Sequence, residues 1–282
     1  MSQGASPFLP PELEREIFEA AAVLHPESAL NLQLVSHRVN EWIERIKYRT
    51  VADRALPTIS CRTLSLLGAI RSNSKPASFF RDRVRHLFVE GLSDEVLDEI
   101  LSACSEVQSL VLFQTVGHVP SLGATRPRRL SLYLHDLSED GDSPRLSRPI
   151  FAFVTHLDLF DFVHNNADKF VAELALLPAL THLALWQNSM RSPELTDLLA
   201  RCSRLKALIQ MHGSMPLDPA QSVDDVRFVA MIVSDDDYPN EWAIGTEGGV
   251  DFWARADAFI AKKRRGEIKP SSRCYIEAED GI

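Results

Sequence analysis

VTHLDL (154–159) and LTHLAL (180–185) carry one six-residue pattern: an apolar residue, two variable positions, Leu, a variable position and an apolar residue. Five more segments follow it closely, VRHLFV (84–89), VQSLVL (107–112), PRRLSL (127–132), LKALIQ (205–210) and VRFVAM (226–231). The central residues are Leu87, Leu110, Leu130, Leu157, Leu183, Leu208 and Val229, separated by 23, 20, 27, 26, 25 and 21 positions. All six intervals lie within the period of leucine-rich repeats, about 20–29 residues. Successive side chains of a strand point to opposite sides, so each segment reads as a strand with its central residue in a core.

Helical stretches separate several of these strands. SDEVLDEILSAC (93–104) offers Ser93 as N-cap, acids in the first turn, and Leu97, Ile100, Leu101 and Cys104 on one stripe. SPELTDLLARC (192–202) repeats the design, with Leu195, Leu198, Leu199 and Cys202 inward, and DKFVAELALL (168–177) is a third candidate. Cys104 and Cys202 fall at equivalent positions and read as buried free thiols rather than nucleophiles. TVGHVPSLGATRP (115–127) and DLSEDGDSPRLSRP (136–149) read as irregular connections or rim loops. Neither GxGxxG nor GxxxxGK[ST] occurs, which argues against a nucleotide-binding doubly wound sheet.

Composition narrows the function classes. With 282 residues, 45% hydrophobic, the chain has material for a large core. A net charge of −9 disfavours a general grip on nucleic acid, and no apolar run approaches a membrane span. The four cysteines lack zinc spacing, and the start lacks a basic segment followed by an apolar stretch, so a cytoplasmic or nuclear location is expected. No GxSxG elbow or other nucleophile signature occurs, so neither an enzyme nor a cofactor is expected.

The N-terminal segment PFLPPELEREIFEAAAVL (7–24) reads as a turn and a helix whose apolar stripe is Leu13, Ile17, Ala20, Ala21 and Leu24. A short helix carrying Ala29, Leu30, Leu34 and Val35 follows. Then SHRVNEWIERIKY (36–48) is capped by Ser36, with Val39, Trp42, Ile43 and Ile46 on one side. LPPELEREIF (9–18) with LQLVSHRVNEWIERIKYRTV (32–51) resembles a divergent F-box of the kind found in fungal F-box-like proteins. KPASFFRDRVRHL (75–87) and DFWARADAFIAKKRRGEI (251–268) are similar to further segments of that family.

The resemblance implies a substrate-recognition adaptor of a cullin-RING (SCF-type) ubiquitin ligase, the F-box docking on its Skp-type adaptor. Carried over by position, the docking surface is Leu9, Pro10, Leu13, Ile17, Phe18, Val35 and Trp42. The chain departs from the family where Ser36-His37-Arg38 stands in place of the usual Cys-Arg. The alternative is a leucine-rich-repeat interaction scaffold without ligase coupling, its N-terminal helices only capping the first repeat.

On the concave side of such a repeat array, the column three after each central residue reads Glu90, Phe113, Tyr133, Phe160, Trp186, Met211 and Ile232. Exposed aromatics at one register suit an interface with an unknown target protein, unless the chain's own C-terminal segment covers them. The expected target face is Phe113, Tyr133, Phe160, Trp186 and Met211, with His156 and His182 from the column one before. Those histidines with Asp158 read as solvent-facing groups rather than metal ligands. SDDDYPNEW (234–242) reads as a solvated turn, and VDFWARADAFIAKKRRGEI (250–268) as a helix closing the array's open end, KKRR favouring its negative terminus.

The expected architecture is therefore α/β: a three-helix F-box-like module (7–50), a linker and N-terminal cap (51–83), a solenoid of about seven leucine-rich repeats (84–234), and a C-terminal cap and tail (235–282).

Overall fold

In the computed structural model, residues 9–52, 61–113, 119–137, 146–161, 167–186, 190–213, 223–234 and 236–282 are described. Pro11 occupies the first turn of α1 (Pro11–Leu24), where its missing N–H costs nothing, and Glu12 and Glu14 complement the positive helix end. After the short α2 (Ala29–Gln33), α3 (His37–Arg49) begins at Ser36, whose Oγ accepts the Val39 N–H at 3.3 Å. The three helices pack around Ala22, Val39 and Ile43, with Phe18, Leu32, Trp42 and Ile46 at the margin.

No linker follows. Arg49 leads directly into strand β1 (Thr50–Ala52), which pairs in parallel with β2 (His86–Glu90). The sheet continues through β3 (Ser109–Phe113), β4 (Arg129–Leu132), β5 (His156–Leu159), β6 (His182–Trp186), β7 (Ala207–His212) and β8 (Phe228–Ile232). It is one eight-stranded, all-parallel sheet in which each strand lies beside its sequence neighbour. Leu87, Leu110, Leu130, Leu157, Leu183 and Leu208 face one another across it in register.

Both faces of the sheet are dry. Those leucines, with Val89, Leu112, Leu132, Leu159 and Leu185, pack on one face against α4 (Cys61–Arg71), α5 (Ala77–Arg83), α6 (Asp94–Ala103), α7 (Ala167–Ala175) and α8 (Ser192–Arg201). On the opposite face Phe88, Val111, Ala184 and Ile209 pack under α9 (Tyr238–Thr246) and α10 (Phe252–Arg264). Asp251 caps α10, accepting the Ala254 N–H at 2.8 Å, and Phe252, Phe259 and Ile260 point into this second core. Beyond α10 the tail borders β8: the Ala230 N–H donates to the Cys274 carbonyl at 2.6 Å, and Arg273 forks onto Asp280.

This architecture corrects the expected one. In place of a separate three-helix module and a seven-repeat solenoid closed at its end, the described residues form a single eight-stranded sheet with helices on both sides. The expected boundary at residue 50 falls inside β1, and the segment expected as linker and cap supplies α4 and α5, with Leu66 and Phe80 in the core. The C-terminal helix lies across a face because its aromatic stripe meets an apolar sheet surface there. The seventh repeat is also displaced: Leu208 pairs with Phe228, so Val229 faces the second core beside Ile209. A slip of one residue moves every side chain of a strand to the other face. Among the described residues no helix is long and apolar enough to cross a membrane.

Candidate functional site

Two surfaces were expected to recognise partners, and the fold treats them differently. On the N-terminal helices, Leu9, Pro10, Leu13, Ile17 and Val35 are exposed, Leu13 at 46%, Ile17 at 53% and Val35 at 59%. Leu30 and Leu34 on and beside α2 are more exposed still. Leu9, Leu13 and Ile17 recur every four positions and so share one side of the chain entering and forming α1. Phe18 and Trp42 do not join them. Their rings pack 6.5 Å apart at the margin of the helical cluster, with the Arg38 guanidinium 5.9 Å over Trp42. Most of the apolar stripe read along α1, Leu13, Ile17, Ala20 and Leu24, is thus outward. Ala22 takes the interior instead, with Phe18 half-buried at its margin, because a helix apolar on two sides buries the one that meets α3.

The aromatic column occupies the second face of the sheet. Phe160, Met211 and His182 are buried, and Phe113, Tyr133, Trp186 and His156 are partly buried. Phe160 lies at the centre, with Phe113 at 5.2 Å, Tyr133 at 5.1 Å and Trp186 at 6.0 Å between ring centroids. Tyr238 at the start of α9 stands edge-on to Phe160 at 5.5 Å. His156 and His182, on adjacent strands, stack at 4.1 Å with Trp253 edge-on to both. The chain's own C-terminal helices therefore cover this face, and Ile232 faces His212 across the last strand pair instead of extending the column.

The cover is tied down by polar contacts that the sequence pattern did not reveal. The Tyr238 hydroxyl donates to Asp158 Oδ2 at 2.5 Å and lies 2.9 Å from Ser131 Oγ. Trp242 Nε1–H donates to Ser109 Oγ at 3.1 Å, Arg129 pairs with Asp251 at 2.8 Å, and His182 Nε2 lies 3.2 Å from Asp257. Asp158 is wholly buried and its Oδ1 finds no partner among the described residues. Burial pushes its carboxyl up to about 7, against the hydrogen bonds from Tyr238 and Ser131. The stretch expected as a solvated turn is therefore the element that seals the face. Asp235 lies outside the described residues, but Tyr238 and Trp242 are buried, and their spacing of four with Pro239 between them was the available signal.

Chemistry is sparse elsewhere. Among the described residues no group of three His, Cys, Asp or Glu is placed to hold a metal ion. Cys104, Cys202 and Cys274 are buried and form no disulfide among the described residues, and burial pushes the Cys104 thiol up to about 12, far from a reactive thiolate. No protein-family model matches the chain, and no curated protein matches it in sequence.

Proposed function

We propose that the chain is a non-catalytic adaptor of a cullin-RING ubiquitin ligase, docking through α1 and α2 on a Skp-type adaptor and presenting a protein to be ubiquitinated. The observation that carries the reading is the apolar side of α1 formed by Leu9, Leu13 and Ile17, left in water together with Leu34 and Val35 after α2, on a helical cluster too small to bury them. Apolar surface gathered this way marks a binding site more often than a solvated face. The direct passage from α3 into β1 supports the same reading, since a partner held at α1 would keep a fixed orientation toward the sheet. The recruited protein is held away from the aromatic column, where Phe160, His182 and Met211 already pack in the interior.

The test is capture of a purified Skp-type adaptor by the full chain and by a Leu13→Ser, Ile17→Ser variant. Each side chain has about half its area left to bury, roughly 1 kcal/mol apiece, so the double change is expected to weaken binding about 30-fold. Thermal stability should stay within a degree or two, because neither residue belongs to a core. Equal capture by both proteins, or none by the unaltered chain, overturns the reading.

A further inference from the structure

The ends of the strands are electrically unequal. One backbone position before each strand forms a continuous ladder: the Arg85 N–H donates to the Arg49 carbonyl, Gln108 to Arg85, Arg128 to Gln108, Thr155 to Arg128, Thr181 to Thr155 and Lys206 to Thr181, at 2.7–3.0 Å. Arg49, Arg85, Arg128 and Lys206 thus stand in one row along the N-terminal edge of the sheet, with no acidic residue in the row. At the opposite ends the corresponding positions are Glu90, Phe113, Tyr133, Phe160, Trp186 and Met211, with no cation.

Arg49, Arg128 and Lys206 are exposed and make no ion pair or side-chain hydrogen bond among the described residues. The Arg85 guanidinium is held by the carbonyls of Asp82 and Glu106, neutral acceptors that fix its position and leave its charge uncompensated. The acids around the row are mostly engaged: Asp82 with Arg81, Asp225 with Arg227, Asp251 with Arg129 and Asp257 with His182. Glu106 and Asp224 lack ion pairs among the described residues and reduce the field without cancelling four cations. Two imidazoles, one buried and one partly buried, register that field. His86, 8% exposed with both ring nitrogens unpartnered among the described residues, is pushed down to about 4 by burial and then by the charges of Arg49, Arg129 and Arg85. His156 is pushed down to about 3 by burial first, then by His182, with Arg129 and Lys206 adding to the effect.

We propose that this row binds an extended acidic segment of a partner protein, laid across the N-terminal ends of β1 to β7. The fit is one of charge and length. Six inter-strand steps of about 4.8 Å make roughly 29 Å, the reach of about nine extended residues. Side chains on one side of an extended chain recur about every 7 Å, within reach of cations one to three strands apart. A chain of net charge −9 that gathers unpaired cations along one edge repels acidic partners over most of its surface and admits them there. This binding stands whether or not α1 and α2 dock on a ligase adaptor.

The experiment uses the full chain and a fluorescent nine-residue peptide of alternating Glu and Ser, read by anisotropy, with an alternating Lys and Ser peptide and a short oligo-dT as comparisons. Binding of the acidic peptide at low salt is expected to weaken roughly threefold in each of Arg49→Gln, Arg128→Gln and Lys206→Gln, and about 30-fold in the triple variant. It should also weaken as salt shortens the Debye length, while Lys169→Gln on α7 leaves it unchanged. These side chains are exposed and unpaired, so the variants fold. Three results overturn the proposal: no binding of the acidic peptide, binding indifferent to the three substitutions, or tighter binding of oligo-dT through the same residues.

Discussion

Replacing Asp158 by Asn gives the sharpest test of the sealed second face. The carboxyl is wholly buried, and its proton is held up to about 7 against an ordinary 3.8, first by burial. At about 1.4 kcal/mol per tenfold in proton affinity, its ionised form weighs on the folded chain by at most about 4 kcal/mol. The folded chain binds this proton more tightly than the unfolded chain. The stability contributed by neutral Asp158 is therefore fully present below about pH 4 and is lost as pH rises to about 7. His86 and His156 act in the opposite direction: both are held below 6.5, so the unfolded chain takes up their protons first and stability falls as pH drops below about 6.5.

The opposing trends mask one another in the unaltered protein, and the difference between Asp158→Asn and the parent isolates the carboxyl. Asn keeps an oxygen to accept the Tyr238 hydroxyl, and any offset from its buried N–H groups is independent of pH. Urea unfolding from pH 4 to 8 should show the variant gaining on the parent by up to about 4 kcal/mol, all of it between about pH 4 and 7. A difference that stays flat across that range, or that grows toward acid, would falsify the account of Asp158 as an uncompensated buried acid.

Two further outcomes follow from the same packing. Phe259 is fully buried beneath the sheet, so Phe259→Ala should destabilise by about 3–5 kcal/mol in urea unfolding, and a loss under about 1 kcal/mol would mean α10 is not packed there. Cys104, its thiol pushed up to about 12, should resist a thiol reagent at pH 8 in the native protein and react once unfolded; rapid native labelling contradicts the burial.

The parts legible in the sequence were those where one residue type recurs at a steady interval. Six central leucines, from Leu87 to Leu208, give six strands in order, and Leu97 and Leu195 give the helices that cover them. β1 escaped because three residues, Thr50 to Ala52, make no pattern and Val51 precedes Leu87 by 36 positions. β8 was placed one residue out of register because Phe228-Val229-Ala230-Met231 is apolar throughout, and a strand dry on both faces has no alternation to read. Of the candidate sites, exposure of Leu13 and Ile17 depends on which side of α1 meets α3. Burial of Phe160 depends on α9 and α10 turning back over the sheet. Both are tertiary choices that local periodicity does not record. Nor does it join Ser131, Asp158 and Tyr238, which come from three elements and meet only through that return.

The return of the C-terminal helices also orders events during synthesis. Each strand can pair with its predecessor as it leaves the ribosome, but Tyr238, Trp242 and Asp251 reach partners 80, 133 and 122 residues earlier. Phe88 and Val111 must wait in water for Trp242 and Phe259. At roughly 5–20 residues per second that wait is on the order of ten seconds, with a row of aromatics and an apolar sheet surface uncovered throughout. The nascent chain is for that interval a natural client for a holdase chaperone, and termination between β8 and α9 leaves the whole sheet with its second face uncovered.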